Sequence, residues 1–318
     1  MKKILLLAAA LFIPLFAAFS YEFVLADNDT SFLISGPETA FPGDPVIVTL
    51  RPVAAETAVT NGSITIKRDG ATKNTSRAAV YKINSALKEP QYAAVIPLDS
   101  FTKPGDYSLN ISLTLDSSKV FEKQIPLTIQ HKDFVSETIQ LNPTNTAIKT
   151  DKSTKRANQI ERLNEILFTT NFDSQYMGTE NFQFPVKSTR RTSFYGDRRV
   201  YAYSNGKSET SVHYGIDFGV PKGTPVYACA TGKVVMAEER ITTGWTVVLE
   251  HMPGMYSLYY HLDSYSVKTG DMIKKGEQIG LSGSTGLATG PHLHWEIRLL
   301  GVAINPDYFI EQPILSSR

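Results

Sequence analysis

The sequence predicts a mainly-β protein: an N-terminal β-sandwich of immunoglobulin-like type, a helical connector and a second, C-terminal β domain. Three patterns carry the prediction. Short apolar–polar alternations separated by Gly, Asp and Pro recur over residues 21–130. Helical periodicity occurs once within residues 131–184. Strand patterns then return over residues 185–312, with frequent glycine and five of the six histidines. A chain of 318 residues accommodates two domains of ordinary size, and 42% apolar with 20% charged residues is the composition of a globular protein with real cores.

The chain opens MKKILLLAAALFIPLFAAFS. Two lysines precede an apolar run from Ile4 to Phe19, and Ala18 and Ser20 place small residues at the two positions a signal peptidase inspects. Residues 1–20 therefore read as a secretory signal. The run is shorter than the roughly 20 residues that span a bilayer, so cleavage is expected over retention as an anchor. Either outcome exports the rest of the chain. Formal net charge is +1, and beyond residue 20 the count is 30 basic against 31 acidic residues. That balance gives no electrostatic reason to expect nucleic acid as a partner. The single cysteine, Cys229 in VYACATG, excludes an internal disulfide framework. It reads as a small buried residue of a strand, and no cysteine follows the signal to carry a lipid.

In the sandwich, FPGDPVIVTLRP is a turn followed by a strand in which Val46, Val48 and Leu50 alternate with other residues. GSITIKRDG, YAAVIPLDS, GDYSLNISLTL and KQIPLTIQ repeat the pattern. This domain carries no chemical motif and reads as a spacer or binding module, through which a cell-envelope regulator could act. His131 at its end reads as a surface residue. The connector holds one helical pattern, TDKSTKRANQIERLNEILFTT, with Asp151 or Ser153 as cap. Ile160, Leu163, Ile166 and Leu167 form a face expected to pack on a neighbouring domain.

In the C-terminal domain TPVYACATGKVVMAEE, GWTVVLEHM, MYSLYYHLDSYSV and PHLHWEIRLL read as strands, with a hairpin at HMPGM. HYGID places His213 and Asp217 four apart, on one side of an extended chain. His261 is expected on the polar side of its strand, opposite Leu258, Tyr260 and Leu262. His292 and His294 share a face with Glu296 and Arg298, while Leu293, Trp295, Ile297 and Leu299 point to the core. Neutral imidazoles and a carboxylate are ligands that zinc accepts. Three protein ligands with an open fourth position make a catalytic rather than a structural site. Five candidate groups leave two histidines over for proton transfer. His251 ends a strand at the hairpin and is left outside the site. Tyr203 and Tyr259 are secondary candidates for donors, Tyr259 being more simply a packed aromatic. The glycines of GLSGSTGLATG let a loop approach the site closely. No G-K-[ST] follows them, so the loop is not a phosphate cradle.

Residues of about 190–308 resemble the lysostaphin-type zinc metallopeptidase domain, also called the duplicated hybrid motif or β-barrel/sandwich hybrid fold. HYGID (213–217), YYHLDS (259–264) and GSTGLATGPHLHWEIR (283–298) match the family's three motifs in order. The resemblance implies that His213, Asp217 and His294 bind Zn2+ and that His261 and His292 stand beside the metal as catalytic residues. It implies an exported endopeptidase, in the periplasm or cell envelope, that cuts peptide cross-links of bacterial peptidoglycan. Two rival readings are weaker. A non-catalytic or autoinhibited activator of another cell-wall hydrolase would show substitutions in the five positions or a groove covered by the sandwich or connector helix. A biotinyl- or lipoyl-carrier barrel is suggested by VKTGDMIKKGEQIGLSG, but Lys274 and Lys275 fall in a barrel connection rather than at a hairpin tip.

Overall fold

A computed structural model describes residues 20–27, 30–54, 57–84, 90–116, 119–177 and 180–312. The signal segment lies outside these, apart from Ser20, the first residue of a strand. Among the described residues no helix is long and apolar enough to cross a membrane.

The N-terminal domain is a sandwich of two five-stranded sheets. Strand Val46–Pro52 shows why: it alternates buried and half-buried positions, with Val46, Val48 and Leu50 at 1% exposure or less. Phe32, Ile64, Leu109 and Phe121, from both sheets, complete the same core. Full burial of side chains of this size is worth about 1.5–3 kcal/mol each. Two further strands, Ser20–Asp27 and Thr30–Pro37, pair ahead of the first strand predicted. His131 is exposed and bonds Asp133 at 2.7 Å.

The connector is woven into the C-terminal domain. Its strand Ser136–Gln140 pairs in parallel with Arg198–Ala202, which pairs antiparallel with Ser208–Val212. Two helices lie between. Pro143–Thr150 was not predicted; Asn142 caps it by accepting from Asn145 N at 2.8 Å, with proline in its first turn. Thr154–Leu167 is the predicted helix, and Ser153 is its cap, accepting from Arg156 N at 3.2 Å. Asp151 instead accepts from Ser153 N. Leu163 and Leu167 pack on Met236, Val248, Tyr256, Leu258 and Tyr260, on one face of the C-terminal sheet. Ile166 is half-buried against them, but Ile160 is 43% exposed and does not share the face.

That sheet has ten strands. Strand Leu293–Leu299 runs antiparallel between Gly215–Phe218 and Met255–Tyr265. Its Leu293, Trp295, Ile297 and Leu299 are buried in the core, as the alternation requires. The run around Cys229 is two strands, Pro225–Tyr227 and Gly232–Arg240, so Cys229 sits buried in the bend between them and not in a strand. His251 is wholly buried beside it. His251 Nδ1 donates to Thr231 O at 2.9 Å, so the neutral ring accepts at Nε2 from Ser257 Oγ at 2.7 Å. Ser257 Oγ lies 3.0 Å from Tyr259 Oη, and that hydroxyl accepts from Cys229 N at 2.9 Å. Tyr259 is thus a core residue, in keeping with a packed aromatic.

Burial lowers His251 to about 4. Its folded value lies below the ordinary 6.5, so between these values the unfolded chain binds the extra proton. Stability is expected to fall as pH drops through that window, by up to about 3 kcal/mol from this residue. Urea unfolding of the metal-free protein at pH 7 and pH 4.5 checks it: His251→Gln should lose about that much less stability than wild type between the two.

Candidate metal centre

Register brings the motifs together. Asp217 lies opposite His294, and His294 lies opposite Tyr260 on the other side. Gly215 makes the first pairing possible, because a Cβ there would meet Trp295 O at 2.2 Å. His213 sits just before strand Gly215–Phe218, its backbone N–H donating to Asp197 O at 2.9 Å. As a result His213 Nε2, Asp217 Oδ1 and His294 Nδ1 lie 2.7–3.1 Å from one another, all buried. These are the described His, Cys, Asp and Glu side chains grouped closely enough to hold a metal ion.

The other atom of each side chain is engaged. His213 Nδ1 donates to Phe194 O at 2.8 Å. His294 Nε2 is 3.0 Å from Glu296 Oε1, and Glu296 Oε2 accepts from Arg298 Nε at 2.7 Å. Asp217 Oδ2 accepts from Arg199 Nη2 at 2.9 Å. Each side chain therefore turns one lone pair toward a common point, with its orientation fixed from behind. Two imidazoles and a carboxylate so arranged fit a divalent transition metal.

His261 and His292 stand beside the trio, their rings 4.7 Å apart. Each donates from Nδ1 to a carbonyl, His261 to Thr285 O at 2.7 Å and His292 to Gly290 O at 2.9 Å. Nε2 is then the acceptor in both neutral rings. His292 Nε2 lies 3.8 Å from Asp217 Oδ1. The backbone at His261 has φ +59°, and the ladder to strand Gly244–Met252 takes one extra residue there, Trp245 facing Leu262 and Val247 facing Tyr259. A bulge with a left-handed residue re-aims a side chain. It changes the predicted face of Tyr260, which lines the groove together with His261 and stacks on His294 at 5.3 Å; Leu262 is in the core, as expected.

Electrostatics separates these groups. Burial alone would raise Asp217, but the imidazoles of His213 and His294 hold its carboxyl well below the usual range. Burial would lower His294, but Asp217 and Glu296 raise it to about 9. His261 is lowered to about 3, by burial first and then by the imidazoles of His292 and His294. Burial would raise Glu296, yet Arg298 and His294 hold it at about 2.

All five predicted residues line one groove of about 590 Å³. Glu137, Ile139, Leu141 and Lys149 of the connector and Arg199 and Tyr201 form a second wall. Among the described residues, none of the sandwich lines it. Tyr203 does not reach the groove; its hydroxyl donates to Glu209 at 2.6 Å. Lys275 bonds Asn181 O at 2.6 Å and presents no free hairpin-tip amine. Alternation puts Glu296 and Arg298 on the histidine face, and the structure adds their place behind His294. Glu137 and Arg199 left no signal in the sequence.

A groove in a β sheet with two imidazoles and a carboxylate converging, and two further imidazoles free at Nε2, is the plan of a metallopeptidase domain. Residues 211–306 match the model of peptidase family M23, and the domain they form is an M23 peptidase domain. The peptidoglycan DD-endopeptidase ShyA of Vibrio cholerae is 39% identical over 124 residues, which are 39% of this chain and 28% of ShyA. The DD-carboxypeptidase/endopeptidase Mpg of Neisseria meningitidis is 43% identical over 95 residues, 30% of this chain and 22% of Mpg. The match thus spans less than a third of these relatives' length. The crystal structure of a Pseudomonas aeruginosa chain assigned to peptidase M23 covers 85% of this chain and 94% of its own, with TM-score 0.54 and 22% identity. That likeness is one of fold, and it extends beyond the peptidase domain.

The glycine loop sets His261 through Thr285. Gly286 has φ +71°, and a Cβ there would meet Gly244 N at 2.4 Å, whereas Gly290 faces open space. Gly286→Ala is expected to destabilise the protein by about 2 kcal/mol or more, and Gly290→Ala by no more than about 0.5 kcal/mol. Denaturant unfolding of the two variants measures the contrast.

Proposed function

We propose that the chain is an exported zinc metalloendopeptidase that hydrolyses peptide cross-links of bacterial peptidoglycan. The observation that carries this reading is the convergence of His213 Nε2, Asp217 Oδ1 and His294 Nδ1, with the far atom of each side chain engaged. Zinc suits the donor set, since borderline-soft imidazole nitrogen with one carboxylate favours it over magnesium or calcium. Support for the substrate comes from ShyA, which is named as a peptidoglycan DD-endopeptidase. The N-terminal run of residues 1–20 supports export to the periplasm or cell envelope.

A zinc ion bound by the trio would supply Lewis acidity toward a peptide carbonyl and lower the pKa of water beside it. The chain's own residues do the rest. His261 and His292 each have Nδ1–H tied to a carbonyl, so Nε2 is free to take a proton from the attacking water. The same nitrogens, once protonated, can donate to the developing oxyanion and then to the leaving amine. Tyr260, stacked on His294, limits rotation of that ring. The connector wall and Tyr214, 43% exposed, give an extended peptide two sides to lie against. Of the two covers the rival reading names, no described sandwich residue and no residue of helix Thr154–Leu167 lines the groove, and the connector contributes only the wall of Glu137, Ile139, Leu141 and Lys149.

His294→Ala is expected to lose stoichiometric zinc. His292→Ala should retain zinc and lose about 10²–10⁴-fold in turnover. Metal analysis, with mass spectrometry of digested peptidoglycan, checks both. Retained zinc in His294→Ala, or lost zinc in His292→Ala, would reverse the assignment of the pair. Chelation should abolish digestion and added zinc restore it; folded wild-type protein that digests peptidoglycan equally well after complete chelation would contradict the metal mechanism.

A further inference from the structure

Asp217 touches the histidines through Oδ1 only. Its Oδ2 is held by Arg199 Nη2, and Arg199 Nε donates to Glu137 Oε1 at 2.8 Å. Glu137 Oε1 also accepts from Ser193 Oγ at 3.1 Å. Arg199 and Asp217 are both under 10% exposed. Glu137 and Arg199 face each other across the parallel pairing of Ser136–Gln140 with Arg198–Ala202. Both lie outside residues 211–306.

We propose that Glu137 and Arg199 are positioning residues of the metal site, so that the connector strand Ser136–Gln140 is a working part of it. The proposal rests on the trio being zinc ligands. A carboxylate with one oxygen engaged cannot rotate freely, so Arg199 fixes which oxygen of Asp217 faces the metal. A buried guanidinium beside a dication is also repulsive, and it draws charge from the ligand it holds. Glu137 offsets this: with it, Glu137, Arg199 and Asp217 carry one net negative charge, and without it none. A lysine could not do the same work, because a point ammonium lacks the planar fork that meets two carboxylates at once.

The neighbouring residue ties this pair to the sandwich. Arg198 donates to Ser100 Oγ at 2.8 Å and Ser100 O at 2.6 Å, and lies 4.3 Å and 4.5 Å from the ring centres of Phe101 and Phe134. One short strand therefore carries the grip on the sandwich and the grip on Asp217 at consecutive positions.

The test uses the full chain. Zinc affinity is measured by competition with a chromophoric chelator, and the ligand field by the visible absorption of Co2+-substituted protein. Glu137→Gln and Arg199→Gln should each weaken zinc binding by about 10–100-fold and shift the cobalt bands, with Arg199→Lys in between. Melting of the metal-free variants establishes that they fold. If either glutamine variant fails to melt cooperatively, Arg199→Lys and Ser193→Ala decide, both being expected to weaken zinc and alter the bands. Folded variants with wild-type zinc affinity and an unchanged cobalt spectrum would overturn the positioning role and leave the pair merely structural. Wild-type protein that binds no zinc would overturn the zinc reading itself, and this proposal with it.

Discussion

Asp217, His294 and Tyr260 occupy one row across three antiparallel strands. A slip of one residue in either pairing would send His294 into the core and Trp295 into the groove, because side chains alternate with a period of two. The apolar half of the strand resists that slip. Leu293, Trp295, Ile297 and Leu299 are at most 1% exposed, and full burial of each is worth about 1.5–3 kcal/mol. The register that the core enforces is therefore the register that assembles the site.

Fixing the row is not enough to aim the ligand atoms. Imidazole has two nitrogens and carboxylate two oxygens, and the wrong one could face the groove. Hydrogen bonds from behind settle the choice: a backbone carbonyl for His213, a carboxylate for His294, a guanidinium for Asp217. The same device sets His261 and His292, whose Nδ1 atoms are committed to carbonyls of the glycine loop. The proposed metal ligands and the proposed proton-transfer groups differ in what they face, while the means of orienting them is shared.

Much of this was legible in the sequence, and the exceptions have physical causes. Alternation in HLHWEIR placed both histidines, Glu296 and Arg298 on one face and the apolar residues behind them. The capped pattern from Ser153 marked its helix, although Ile160 faces solvent. Helix Pro143–Thr150 went unseen because its residues carry no apolar stripe to mark a face. The bulge at His261 has no signal in the sequence because a left-handed backbone at a non-glycine residue leaves no local trace, and so Tyr260 lines the groove instead of facing away from His261. Glu137 and Arg199 meet across 62 residues through a parallel pairing, which no short-range pattern reports. Tyr203 was suggested only by its place upstream of HYGID and bonds Glu209 instead.

We propose that one zinc ion is held by His213 Nε2, Asp217 Oδ1 and His294 Nδ1. Anomalous diffraction at the zinc absorption edge, from crystals of the full chain, tests it most directly. The expected result is a single strong peak about 2.0–2.2 Å from those three atoms, with His261 and His292 beside it and unbonded. A peak on His292 or His261, or one coordinated by His294 through Nε2, would contradict that ligand set.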